Sequence, residues 1–155
     1  MGEWWVTKQD MTKSDFRHIH QMAVRWSDLD ALGHVNNAEL VRYFEAGRVA
    51  YCDSILDLQF GPTVKEAWIL ADLHCRFRGQ LHFPDGIEVA TRCSRFGNSS
   101  ADLAAAIYRK GSNKPFAESK AVVVWFDYIN QKSKAIPDDV RVRIREYESV
   151  KPKED

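Results

Sequence analysis

The chain has no run approaching the ~18 consecutive apolar residues that cross a bilayer as a helix. Its N-terminus, Met-Gly-Glu-Trp-Trp-Val-Thr-Lys-Gln-Asp, has neither a basic segment nor an apolar one, so no export signal is expected. Charge of one sign is missing too. Twenty-two basic residues stand against twenty-two acidic ones, and with no basic stripe there is no electrostatic case for a nucleic-acid partner. Cysteine is scarce, odd in number and scattered: Cys52, Cys75 and Cys93 form neither a Cys-x-x-Cys pair nor a disulfide framework. Reduced thiols and the missing export signal predict a cytoplasmic protein. His18, His20, His74 and His82 have no ligand-like spacing with one another or with cysteine, so no metal site is expected. No Gly-x-Ser-x-Gly elbow occurs, which disfavours a serine hydrolase. Repeats, low-complexity blocks and linkers are also absent, so the 155 residues read as one domain, with an N-terminal arm over 1–17 and a flexible tail over 149–155.

What is present concentrates in residues 25–51. A strand-like run ends in two acids, Asp28 and Asp30. A glycine turn carrying a histidine follows, Gly33 and His34. An asparagine pair, Asn36 and Asn37, then opens the longest helical pattern in the chain. Acid, histidine and helix N-terminus thus fall close together in sequence. A carboxylate can attack an acyl carbon or activate a water. A helix N-terminus offers backbone N–H groups and a favourable dipole to a developing oxyanion.

Periodicity supplies the frame. Residues 18–27 alternate as a strand, with His20, Met22, Val24 and Trp26 on one face. From Ala38 to Leu56 the apolar residues recur at spacings of three and four, a helix with a wide apolar face. Gly47 in its middle costs about 1 kcal/mol relative to alanine, a cost that close approach to a sheet would explain. Residues 63–78, 86–96, 99–110 and 115–129 read as strands. Phe83-Pro84-Asp85-Gly86, Gly97-Asn98 and Gly111-Ser112-Asn113-Lys114 separate them, which predicts an antiparallel meander. A short helix is expected after Pro137, and Trp4, Trp5 and Val6 of the arm are expected to dock on the body or on a partner. The fold class is α+β, an antiparallel sheet covered by one long helix.

With these elements in place the chain resembles the hot-dog-fold thioesterases, in the 4-hydroxybenzoyl-CoA/YbgC-like acyl-CoA thioesterase family. The resemblance spans roughly 18–145. It is carried by Ser27-Asp28-Leu29-Asp30-Ala31-Leu32-Gly33-His34-Val35-Asn36-Asn37-Ala38, then by Pro84-Asp85-Gly86-Ile87-Glu88-Val89 and Arg95-Phe96-Gly97-Asn98-Ser99-Ser100. It implies a five-stranded antiparallel sheet wrapped around one long central helix. It also implies hydrolysis of an acyl thioester, acyl-CoA or acyl-ACP, with no cofactor beyond the carrier that arrives with the substrate. Asp30 would be the catalytic carboxylate, as nucleophile or as general base, and the Asn37 backbone N–H would bind the oxyanion. Arg95, Asn98 and Ser99 would lie along the CoA path, and the active site would form between subunits of a homodimer or a dimer of dimers.

Plant acyl-ACP thioesterases share the histidine at His34 but have asparagine where this chain has Leu32. His34 therefore has two readings, an assisting group or a histidine that bonds the turn backbone. Asp28 is expected to hydrogen-bond the loop. Lying two residues from Asp30 on an extended segment, it would face the same way and raise the Asp30 pKa. Two further functions share the frame: a non-catalytic dimer that binds acyl-CoA or another small ligand, and a hot-dog enoyl-thioester hydratase or dehydratase. Against the second, its members place the histidine five residues after the acid rather than four.

Overall fold

The computed structural model describes residues 11–58 and 61–155. Trp4, Trp5 and Val6, and Phe60 of the expected helix-closing Phe-Gly-Pro, lie outside the described residues. Five long strands form the sheet: β1 (His18–Ala23), β2 (Glu66–Phe77), β3 (Gly86–Phe96), β4 (Ser100–Arg109) and β5 (Pro115–Asp127). The helix α1 (Asn37–Leu56) lies against it, and a second helix, α2 (Asp138–Tyr147), follows Pro137. Two-residue strands β6 (Lys132–Ser133) and β7 (Lys153–Glu154) add to β5 and β3. This is the sheet-around-helix architecture that the resemblance implies. The segment expected to be a loose tail instead lays β7 parallel to Arg95–Phe96.

The spatial order is β1-β3-β4-β5-β2, antiparallel throughout the long strands. The meander therefore holds for β3, β4 and β5 only. β2 does not pair with β3 but with the opposite edge, on β5, where Trp68 faces Trp125 edge-on at 5.0 Å between centroids. Residues 78–85 are a crossover rather than a hairpin. The Arg78 and Gly79 N–H groups donate to Phe116 O at 2.7 and 3.1 Å, and Val24 N donates to Asp85 O at 2.9 Å. The first strand is also shorter than its alternation suggests. Val24 is buried, but a 3₁₀ turn over Trp26–Asp28 breaks the period and turns Trp26 out to 74% exposure.

α1 starts where Asn36, extended at φ −61° and ψ 139°, accepts the Ala38 N–H on its side-chain oxygen at 2.9 Å. It ends at Asp57, which takes a left-handed conformation. Its buried residues Leu40, Tyr43, Phe44, Gly47, Tyr51, Cys52 and Leu56 form one stripe. Gly47 divides that stripe. On its N-terminal side Leu40, Tyr43 and Phe44 pack with Val35, Leu81, Ile87 and Ile107. On the C-terminal side Tyr51, Cys52 and Leu56 pack with Phe96, Leu103, Trp125 and Ile144 of α2. At the division the helix touches the sheet, and a Cβ on Gly47 would stand 2.4 Å from Val89 Cγ1. The outer face of the sheet is covered in part by Phe16 and Met11, on Ala90, Ala106 and Tyr108.

Candidate active site

The loop between β1 and α1 is closed on itself. Leu29 and Val35 form an isolated antiparallel bridge. Inside it Asp30 N donates to His34 O at 2.9 Å, and Gly33 N donates to Asp30 O at 3.1 Å. Gly33 sits at φ +83°, where a side chain would be strained. Two contacts fasten this loop to the 78–85 crossover: Val35 N donates to Leu81 O at 2.8 Å, and His82 Nδ1 lies 3.2 Å from Gly33 O. His82 was given no role by the sequence. It stands too far along the chain from the loop for any spacing to have signalled the contact.

Asp30 and His34 face each other across this loop. Asp30 Oδ1 accepts the Leu32 N–H at 2.8 Å, and Asp30 Oδ2 lies 3.5 Å from His34 Nδ1. Both side chains remain about a quarter exposed, 27% and 23%, so a small molecule can reach them. Asp28 is in another environment altogether, 2% exposed. Its Oδ2 accepts the Tyr43 hydroxyl at 2.5 Å and the Arg25 N–H at 2.9 Å, with the Arg25 guanidinium 3.3 Å from Oδ1. Burial alone would raise the Asp28 pKa. The Tyr43 and Arg25 contacts outweigh it, and the net shift is downward. The expectation that both acids face the same way thus fails, because the 3₁₀ turn replaces the extended segment on which it rested.

At the start of α1 the free N–H groups can be accounted for one by one. Asn36 N donates to Asp28 O at 3.0 Å, Ala38 N to the Asn36 side chain, and Glu39 N and Leu40 N to Asn36 O at 2.9 and 3.2 Å. No described residue accepts the Asn37 N–H, and Asn37 is exposed. One donor is therefore left open at the positive end of a 20-residue helix, beside the loop that presents Asp30.

Arg95, Asn98 and Ser99 are elsewhere. β3 begins at Gly86, next to the loop's end of the sheet, and Arg95 is its tenth residue, about 30 Å further along at ~3.3 Å per residue, with Asn98 and Ser99 in the turn just beyond its end. Arg95 is committed within the fold. It pairs with Asp102 at 3.1 Å and with Asp155, while Lys120 holds the same Asp102 at 3.1 Å. The Asn98 carbonyl accepts from Ile136 N and the Arg141 guanidinium, each at 3.0 Å, and the Ser99 carbonyl accepts from Trp125 N at 2.8 Å. The Asn98 side chain is exposed. Within one chain the structure thus gathers Asp30, His34 and Asn37 at one end and Arg95, Asn98 and Ser99 at the other. Among the described residues no group of three or more His, Cys, Asp or Glu could hold a metal ion, and no helix is long and apolar enough to cross a membrane.

Comparison with known proteins points one way. The profile of the thioesterase-like superfamily matches residues 24–144. A chloroplastic acyl-acyl carrier protein thioesterase of Arabidopsis thaliana is 27% identical over 129 residues, 83% of this chain and 67% of the relative. A crystal structure of a Pseudomonas aeruginosa protein shares the fold with a TM-score of 0.82, over 90% of this chain and 97% of its own, at 24% identity. A Thermus thermophilus thioesterase, crystallised with coenzyme A and zinc, is 25% identical with a TM-score of 0.74, covering 88% of this chain and 97% of its own.

Proposed function

The chain belongs to the thioesterase-like superfamily and is a thioester hydrolase of the hot-dog fold; from that premise we propose that Asp30 and the Asn37 N–H together cleave an acyl thioester of coenzyme A. The observation that carries this reading is the open Asn37 N–H at the start of the helix into which the loop presenting the accessible Asp30 carboxylate runs. In the ground state a thioester carbonyl has little resonance stabilisation, so one carboxylate and one preorganised donor suffice. The carbonyl oxygen takes the Asn37 N–H as charge develops on it. Asp30 either adds to the carbonyl carbon, expelling the thiolate and leaving an acyl anhydride that water opens, or it takes the proton of a water that adds directly. His34, 3.5 Å from Asp30, orients the carboxylate. Solvent oxygen separates the two routes: in a single turnover in ¹⁸O water the anhydride route can deliver an Asp30 oxygen to the acid, and the direct route delivers only solvent oxygen.

The complete site is proposed to need two chains. β2 is an open edge, and Ile69, Leu70 and Phe77 along it are exposed at 38%, 42% and 41%. Antiparallel pairing of β2 with its copy would cover that edge. It would also bring the Phe77 end, next to the Asp30 loop, beside the partner's Glu66 end, next to the Arg95–Ser99 turn. The partner's turn would then receive the pantetheine and nucleotide. The plant relative's substrate is carried by a protein rather than by coenzyme A, so acyl carrier protein is the alternative carrier.

Thiol release from a panel of short, long, branched and aromatic acyl-CoAs, and from acyl carrier protein loaded with the best acyl group, tests the reading. Asp30→Asn should lose at least about a hundredfold in kcat, as removal of a general base or nucleophile does. The reading fails if the wild type cleaves no acyl thioester, or if Asp30→Asn retains the wild-type rate.

A further inference from the structure

α1 carries two buried tyrosine–carboxylate bonds, at Tyr43 and Tyr51, about 12 Å apart along the axis at ~1.5 Å per residue. Tyr51 donates to Glu148 at 2.5 Å, and the same Glu148 oxygen accepts Cys93 N at 2.7 Å. That bond ties the helix to the chain just after α2 and to β3, in the half of the molecule away from the Asp30 loop. The Tyr43 bond has the same chemistry and a different address, because its acceptor, Asp28, stands two positions before Asp30.

Asp28 is fastened to α1 twice. Its carbonyl accepts the N–H of the N-cap residue Asn36 at 3.0 Å, and its carboxylate accepts the hydroxyl of Tyr43 from the second turn. The N-cap bond fixes Asp28 to α1 at one point, and the bridge and crossover contacts hold the far side of the loop rather than Asp28 itself. A second attachment about two turns further along the helix fixes the orientation of Asp28 as well as its distance. Arg25 contributes a third hold on the same carboxylate from the β1 side, through its N–H at 2.9 Å and its guanidinium at 3.3 Å. Tyr43 is itself packed, 1% exposed in the cluster with Val35, Leu40 and Leu81.

We infer that Tyr43 is a positioning residue: by holding the Asp28 carboxylate it fixes where the Asp30 carboxylate stands relative to the Asn37 N–H. The inference rests on the hydrolytic reading above. It assigns Tyr43 no contact with substrate. Reaction rate is steeply sensitive to such placement, and a misplacement of about 1 Å can cost about a hundredfold. The Arg95–Ser99 turn proposed to take the carrier, in contrast, lies at the far end of β3, and the Tyr43 hydroxyl bonds only Asp28. Loss of that hydroxyl therefore lowers kcat and leaves KM alone.

Steady-state thiol release by Tyr43→Phe, Tyr51→Phe, Asp28→Asn, Asp28→Ala and Asp30→Asn tests this, at a temperature where circular dichroism shows each variant folded. Tyr51→Phe is the stability control, since it loses the matching bond far from the loop. The expected result is a kcat about tenfold or more below wild type for Tyr43→Phe, with KM within about twofold, and a wild-type kcat for Tyr51→Phe. Asp28→Asn keeps an oxygen for Tyr43 and should retain more kcat than Asp28→Ala, which should fall as far as Tyr43→Phe. The double variant Tyr43→Phe/Asp28→Ala should be no slower than the slower single variant. A wild-type kcat in Tyr43→Phe overturns the inference, and so does an equal loss in Tyr51→Phe. If Tyr43→Phe does not fold, equal kcat in Asp28→Asn and Asp28→Ala overturns it. An Asp30→Asn variant as fast as wild type removes the hydrolytic reading and this inference together; a slow Asp30→Asn beside a fast Tyr43→Phe removes this inference alone.

Discussion

Glu148 and Asp28 are both carboxylates almost sealed from water, 1% and 2% exposed, yet their surroundings push them in opposite directions. At Glu148 one oxygen accepts from Tyr51 and from Cys93 N, while the other has no partner among the described residues. The Cys93 N–H needs that acceptor because β1 stops pairing at Thr91 and β7 begins at Arg95. Burial dominates, and despite Tyr51, Cys93 and Arg92 the Glu148 pKa is raised. An acid whose folded pKa lies above its unfolded one adds stability below the unfolded value, about 4.3, and that stability is lost as pH rises through the folded value. Glu148→Gln, which removes the charge and keeps one acceptor oxygen, should therefore melt above the wild type at pH 8 and lose that advantage by pH 4. Asp28 runs the other way. Its lowered pKa means stability that is present above the ordinary carboxylate range and lost as pH falls through the folded value. Asp28→Asn should accordingly flatten the acid limb of a plot of melting temperature against pH. At this scale the sequence was read correctly where chemistry is local. Of the asparagine pair that opens the helix, Asn36 supplies the cap. The sequence misled at Asp28, because an extended segment was assumed through residues that form a 3₁₀ turn, closed by Asp28 N on Arg25 O and Leu29 N on Trp26 O.

Gly47 shows how an element can be legible when its cost has only one explanation. A glycine in the middle of an amphipathic helix gives up about 1 kcal/mol that alanine would recover, so its presence implied a close neighbour. The structure supplies Val89, with Cγ1 at 2.4 Å and Cβ at 3.1 Å from where a methyl would sit. Gly47→Ala should therefore destabilise, by about 1–3 kcal/mol as overpacking of a core does. Val89→Ala in the same chain should recover part of that, since it removes the nearer atom and leaves the 3.1 Å contact. Urea denaturation of the two single variants and the double variant checks both signs. The strands were similarly legible, including β4, whose Ala104-Ala105-Ala106 would suit a helix but whose Leu103, Ala105 and Ile107 share the inner face. The place of β2 was not. Turn residues announce a reversal of the chain without naming the partner strand, and β2 is carried to the far edge by packing such as Trp68 on Trp125 and by the bonds that pin 78–85.

At the scale of the whole molecule, the two groups of candidate site residues lie at opposite ends of one sheet, and the strand proposed to pair with a second copy, β2, is an edge strand with a partly apolar surface. Twenty-two charges of each sign leave no net repulsion to oppose pairing. If each site takes Asp30 from one chain and the Arg95–Ser99 turn from the other, two defective chains can complement each other. Asp30→Asn disables the carboxylate. Asn98→Glu puts a negative charge on an exposed side chain where a phosphate would approach, without touching the carbonyl that Ile136 and Arg141 hold. In a dimer containing one of each, the two changes fall in the same site and the other site is intact. Random pairing makes half of the dimers mixed, so co-expression should restore roughly a quarter of the wild-type rate at substrate concentrations well below KM. If the site lies within one chain, the mixture can do no better than the mean of its two parents. Measuring thiol release from separately tagged chains, co-expressed and purified through both tags, decides between these outcomes, because such a preparation contains only mixed dimers and should reach about half of the wild-type rate.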